Sequence, residues 1–570
     1  MSHRIALVVV VAVVLALGGC STISGGGSAV VIAVESQPKS LDPRLGSVDS
    51  VSARLHSIVF DSLVRKNERF EYVPHLAETF EQSPDARTFT FHLRKGIKTH
   101  NGRELTSDDV KFTYESITSP ELKSPVAASF ARIESIETPD PLTVIFHCRE
   151  PYYQLLGDLV AIPVMVNVPN AGKGLPVGTG PFKVVDASEQ TIELEANEDY
   201  WQGAPAIKKL RVRVVTDNNT RELELKSGGV DLAINSGFAP DTIAKMATDP
   251  DLQVIKGPGT NIAHIGLNTT DEVLRNVKVR QALACALNRD QVISTVIQGQ
   301  ARPADAIMPP ESWAYEPAVT KYQFDIQRAK QLLDEAGYKD PDGDGPAVRF
   351  TIGFTTSNTG TAPAIAQIVQ EQWRAIGVGV TPEQFERVTF FERLSQGNFD
   401  AYYIVSVGAN QTPDVYSWAY YANYWAADRK ELDAAATAGD TAKMLEILGK
   451  KEYCALPEVD RLVTEARAAS PDAQKAKLLE AYALLTSRGA GNRMRYCSTA
   501  IDEAVLKAER SSSREEQKAL YSQIQVAASN DVPQIYLWYQ DNVIVARKRI
   551  SNVAIDPSGS WYFLQNVKAE

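Results

Sequence analysis

Residues able to do covalent or acid–base chemistry are scattered through this sequence rather than assembled. No GxSxG elbow, no HExxH and no complete GxxxxGK[ST] phosphate loop occurs, and the seven histidines (His3, His56, His75, His92, His100, His147, His264) show no metal-ligand spacing. Asp340-Pro341-Asp342-Gly343-Asp344-Gly345 places oxygen ligands at alternate positions around a glycine, like the first half of a calcium loop. The position that should supply the bidentate glutamate is Thr351, so half the ligand set is missing and a solvated surface turn is the preferred reading. The chain is therefore expected not to be an enzyme, and to use no cofactor and no metal.

The thiol with the clearest assignment is Cys20. Arg4 precedes an apolar run from Ile5 to Leu17 that ends in Leu17-Gly18-Gly19-Cys20. The run is too short for a stable transmembrane helix but fits a signal-peptide core, and its end resembles a bacterial lipobox. On that reading residues 1–19 are a signal peptide and Cys20 is the lipidated mature N-terminus. The competing readings are an ordinary cysteine after a generic signal and an anchor that is never cleaved. Residues 21–28, STISGGGS, have the composition of a flexible tether, which puts the start of the folded part near Ala29. Ser21 rather than Asp after Cys20 favours the outer membrane if the source has two.

The rest of the 570-residue chain is too long for one core. A formal net charge of -11 with no dense Lys/Arg block argues against nucleic acid or anionic lipid as the main partner. Cys148, Cys285, Cys454 and Cys497 have no CxxC spacing, and an oxidising compartment permits disulfides among them.

The elements that must position any site read as a mixture. Phe89, Phe91 and Leu93 alternate with Thr88, Thr90 and His92, as a half-buried strand requires. Thr106 and Asp109 then form a capping-box pair ahead of a helix with Val110, Tyr114 and Ile117 on one face. Further helices are predicted over 277–287, 292–297, 325–336 and 364–376, the last two ended by Gly337 and Gly377, with strands over 349–354 and 401–407. Such alternation predicts α/β or α+β lobes. Tyr453-Cys454 with Val459, Asp460 and Val463 is echoed about 43 residues later by Tyr496-Cys497 with Ile501, Asp502 and Val505. Local duplication and chance similarity both account for so short a match.

Eight stretches carry a family resemblance: Ser40-Leu41-Asp42-Pro43, Pro74 to Glu78, Phe89 to Gly102, Leu105 to Val110, Pro176 to Phe182, Asn197 to Trp201, Val279 to Leu283 and Ala336-Gly337-Tyr338. In this order they resemble the extracellular solute-binding proteins of the peptide and nickel type. The resemblance implies an α/β, two-lobed periplasmic-binding-protein fold with an extra N-terminal subdomain and an enlarged C-terminal lobe. Residues 29–270 would form an N-terminal lobe of two subdomains closed by 536–570, and residues 271–535 a C-terminal lobe with a helical insertion around 426–500. It implies a monomer, held at the periplasm or cell surface by its lipid alone, that captures a peptide or other small molecule between its lobes. Permease subunits and their ATPases would be its partners. An oligosaccharide, an opine or a metal chelate is the alternative cargo, and ligand sensing without transport the alternative role.

The same resemblance places the ligand site at Tyr403 to Asp414, YIVSVGANQTPD. Peptide binders of this family carry an aromatic residue and then an Ala-Asp pair whose carboxylate holds the peptide's ammonium group. Here Val407 takes the aromatic position, Gly408 follows, and Ala409-Asn410 replaces Ala-Asp. Asn410 can both accept and donate, which suits an amide, hydroxyl or sugar as well as an amine, while Asp414 could supply the missing charge. Of the aromatic residues that follow, Trp418 is taken as a ligand contact and Tyr420, Tyr421, Tyr424 and Trp425 mainly as core. Gly178, Gly180 and Pro181 shape a tight turn, near the cleft or far from it, and Arg94 and Arg280 are expected to pair with carboxylates inside a lobe. Cys454 and Cys497, at equivalent repeat positions, form one possible disulfide among several.

Overall fold

A computed structural model describes residues 29–46, 49–168, 174–234, 237–343, 345–406, 411–421, 429–449, 457–486, 492–511 and 513–570. The first strand, β1 (Val30–Val34), is the β-branched run VVIAV and is largely buried, as a central parallel strand is. A short hairpin follows, made of β2 (Val64–Lys66) and β3 (Tyr72–Pro74). Then β4 (Ala77–Gln82), β5 (Thr88–Leu93), β6 (Ile133–Asp140) and β7 (Thr143–Cys148) form an antiparallel sheet in the order β4-β5-β7-β6. The alternation read in β5 holds, with Phe89, Phe91 and Leu93 buried. The helix Ser107–Ile117 packs Val110, Tyr114 and Ile117 into the same core, and Asp109 accepts a hydrogen bond from the Thr106 amide at 3.0 Å.

The strands β8 (Phe182–Ala187), β9 (Thr191–Ala196), β10 (Lys209–Val214), β11 (Leu232–Ile234), β12 (Leu252–Leu267), β13 (Ala301–Pro303), β14 (Phe350–Ser357), β15 (Val378–Phe385), β16 (Ala401–Ser406) and β17 (Gln534–Arg547) join β1 in one 11-stranded sheet. Its order is β15-β14-β16-β12-β17-β11-β1-β10-β9-β8, with β13 beside β17. At its middle β12 and β17 run antiparallel for 16 and 14 residues, and their register breaks between Gly257 and Asn261. On one side of the break Ile544 and Ala546 pack with β1, β8 and β10. On the other, Ile262 to Leu267 and Ile535 to Tyr539 pack with β14, β16 and the helices that follow. Two separately packed bodies thus share one sheet.

The predicted helices form as Val277–Cys285, Arg289–Thr295, Ile326–Glu335 and Ala362–Arg374, and Gly337 and Gly377 adopt left-handed φ values of 93° and 78° just past the last two. Beyond β16 the described chain up to β17 is almost wholly helical: Asp414–Tyr420, Arg429–Ala438, Thr441–Gly449, Pro457–Arg467, Pro471–Thr486, Thr499–Arg510 and Arg514–Asp531. The two repeat copies head the helices Pro457–Arg467 and Thr499–Arg510, where Val459 and Val463, and Ile501 and Val505, are buried in one core. Tyr453 and Cys454 lie outside the described residues. Among the described residues no helix is long and apolar enough to cross a membrane; the predicted signal peptide, Cys20 and the tether lie outside them.

Candidate ligand-binding cleft

The parallel strands β14, β15 and β16 end at one edge of the sheet, and from that edge spring the helices Ala362–Arg374, Arg387–Gln396 and Asp414–Tyr420. Open α/β sheets bind ligands outside such carboxyl ends. The edge is polar and preorganised. The wholly buried Thr355 donates to Glu383 at 3.2 Å, Glu383 pairs with Arg393 at 2.9 Å, and Arg393 lies 4.4 Å over the Phe385 ring. The hydroxyl of Thr356, also wholly buried, has no partner among the described residues.

The predicted contacts Val407, Gly408, Ala409 and Asn410 lie outside the described residues. Asp414 opens the helix Asp414–Tyr420 and Trp418 falls within it; their side chains are likewise not described. Gln411, which the sequence reading passed over, is described. Its side-chain amide donates to the Thr260 hydroxyl and to the Ser558 carbonyl, both at 3.3 Å. It therefore ties the end of the predicted ligand loop to the break in β12 and to the C-terminal tail. No local pattern could reveal this, because both partners are distant in sequence.

The break itself is shaped by glycines. A β-carbon on Gly259 would overlap the Gln540 carbonyl, and one on Gly257 would stand 2.7 Å from the Ile555 side chain. Asn542 donates to the Pro258, Asp556 and Pro557 carbonyls at 3.3, 2.9 and 3.1 Å, and Arg302 reaches the Gly259 carbonyl at 3.2 Å. Few residues absorb the change of direction, which is how a hinge is built.

The Gly178–Pro181 turn has a structural task. Gly180 packs its α-carbon on the backbone of Ile58 to Phe60, where a β-carbon would come within 2.6–2.8 Å of main-chain atoms, and its amide donates to Val59 at 3.0 Å. His100 clamps the turn: Nδ1 accepts from the Gly178 amide at 3.2 Å and Nε2 donates to the Gly180 carbonyl at 2.9 Å. Burial holds His100 neutral, its pKa lowered to about 4. Beside it the buried Asp61 receives His75 at 2.9 Å, Thr179 at 3.0 Å and Trp201 at 3.3 Å. Burial pushes the Asp61 carboxyl up, but the adjoining His75 and the hydrogen bonds from these donors outweigh it and hold its pKa below the usual range.

Other expectations need correction. Arg94 donates to the His75 carbonyl at 2.8 Å rather than to a carboxylate, and Arg280 likewise turns to the carbonyls of Leu274, Arg275 and Asp531. Buried loops and the C-terminal ends of helices leave carbonyls to be satisfied, and a five-donor guanidinium does that well. Cys148 and Cys285 are buried free thiols whereas Cys497 is disulfide-bonded, which excludes pairings with those two. Tyr420 and Tyr421 are both buried in the helical core, as expected; Tyr424 and Trp425 lie outside the described residues. Asp340 pairs with Arg349 at 3.5 Å and Asp342 accepts from the Ala347 amide at 2.9 Å, so two carboxylates of the calcium-like segment serve the turn itself.

Residues 71–428 match the family described as bacterial extracellular solute-binding proteins, family 5 middle. The chain belongs to this family. Among its relatives, the oligopeptide-binding protein AppA of Bacillus subtilis is 30% identical over 62% of this chain and 69% of its own. Heme-binding protein A of Haemophilus influenzae is 32% identical over 62% of this chain and 70% of its own. Among solved structures, HbpA2 from Haemophilus parasuis covers 95% of this chain and 100% of its own at 24% identity and a TM-score of 0.72. AppA in complex with a nonapeptide covers 95% and 99% at 23% identity and a TM-score of 0.65. This family 5 chain thus has the two-lobed α/β fold of the periplasmic binding proteins, and its relatives are binding proteins rather than enzymes.

Proposed function

We propose that this family 5 protein captures short peptides between its two bodies and delivers them to the permease of an ATP-driven importer, as a monomer held to the membrane by lipid on Cys20. The observation that carries the reading is the glycine-marked crossing of β12 and β17, beside a polar strand edge whose ligand loop is fastened to it by Gln411. Two rigid bodies on a few hinge residues can engulf a ligand at small conformational cost. The peptide assignment is supported by relatives named for oligopeptides and for di- and tripeptides. The lobe division 29–270 with 536–570 against 271–535, and contacts from Val407, Gly408, Ala409, Asn410, Asp414 and Trp418, belong to this reading.

A second cargo, a haem-like or other metal chelate, is favoured by one observation: Asn410 stands where an ammonium-binding carboxylate is expected. A relative named for haem agrees with it. Native mass spectrometry of residues 21–570, followed by extraction of bound small molecules, separates the two. Co-purified short peptides whose retention falls in Asn410→Ala support peptide import. A retained chelate, or an empty cleft whose melting temperature a broad peptide mixture leaves unmoved, overturns it.

A further inference from the structure

The β2–β3 hairpin presents a tip, Asn67 to Glu71, that a single side chain makes rigid. Asn67 Oδ1 accepts from the Arg69 and Glu71 amides at 2.9 and 3.0 Å, and its Nδ2 donates to the Glu71 carboxylate at 2.9 Å. Inside this tip Phe70 has φ +60°, a left-handed conformation that strains a residue with a bulky side chain. Strain of this kind persists only where surrounding structure over-determines it. Phe70 is also just 2% exposed, yet it belongs to none of the apolar clusters, including that of the neighbouring four-stranded sheet.

Two residues of the tip, Arg69 and Glu71, reach the other body. The Trp313 amide donates to the Arg69 carbonyl at 3.1 Å, and Trp313 is part of the helical core beyond the β12–β17 break. The Arg514 guanidinium lies 3.2 Å over the Trp313 ring and 3.9 Å from the Glu71 carboxylate. Arg514 is the first residue of the helix Arg514–Asp531, where the helix dipole disfavours a cation; Glu515 and Glu516 supply the favourable charge. Its position is explained by the hairpin instead. Burial lowers the Arg514 pKa while Glu71 and Tyr72, both of the hairpin, oppose that shift together with Tyr521.

We propose that the Asn67–Glu71 tip is a clasp: with Phe70 seated and Arg69 and Glu71 bound to Trp313 and Arg514, it holds the two bodies together independently of the hinge, and the cleft opens only when Phe70 leaves its seat. Its purpose rests on the solute-binding reading, but the contact can be tested without any ligand. Hydrogen–deuterium exchange of the full mature chain, as purified, reads the Trp313 amide, whose hydrogen-bond acceptor among the described residues is the Arg69 carbonyl. Phe70→Ala and Arg514→Glu should each speed exchange in the Trp313 segment by about tenfold while β5 and β7 stay as slow as before. Arg514→Glu changes a partly exposed side chain, so it remains informative if Phe70→Ala fails to fold. The clasp is overturned if the wild-type Trp313 segment exchanges like an open loop, if neither variant that folds changes it, or if β5 and β7 accelerate in step. An unidentified ligand in the mass-spectrometry experiment leaves each of these outcomes readable.

Discussion

A buried imidazole that must stay neutral makes a protein sensitive to acid. His56 and His100 are held to pKa values of about 4 and His264 to about 3, in each case chiefly by burial. Their unfolded value is near 6.5, so between about pH 6.5 and 4 the unfolded chain takes up protons that the native one refuses, and stability falls as pH falls through that window. Above it the stabilisation is complete. We expect unfolding stability, read by urea titration, to decline from pH 6.5 to 4, and His100→Gln, which keeps a hydrogen-bonding side chain but no titration, to lose on the order of 2–3 kcal/mol less between pH 7 and pH 4 than the wild type. At the proposed ligand loop, Asn410→Asp restores the carboxylate expected from the family resemblance. Calorimetry should then show about tenfold tighter binding of a tripeptide with a free amine and no gain for its N-acetylated form.

Among elements, strands and helices were legible wherever their own residues decide them. β5, the helix Ser107–Ile117 with its Asp109 cap, and the glycine-ended helices follow from alternation, capping and helix-stop rules applied within a few residues. What escaped was set by distant partners. Gly180 was readable as a turn, but its requirement comes from the backbone of Ile58 to Phe60. Gln411 looked like one more polar loop residue until β12 and the tail came beside it. The same contrast yields a prediction. Gly180→Ala meets main-chain atoms that cannot swing aside and should cost about 2–4 kcal/mol in urea unfolding, whereas Gly102→Ala, with nothing near its β-carbon but a φ of +87°, should cost about 1 kcal/mol.

At the scale of the molecule, one sheet runs through both bodies, and its central strand comes from the end of the chain. β17 pairs with β12, β11 and β13, and the tail beyond it buries Trp561, Leu564 and Val567 in the core around β1. Ending the chain at residue 548 removes those side chains together with the bond between Tyr562 and Tyr200. We expect the product to lose the protease resistance of its N-terminal body while fragments from the body containing β14–β16 survive longer. The late position of β17 also orders events in time. The sheet cannot close until β17 has been made, so its closure waits on pairings distant in sequence, which form slowly.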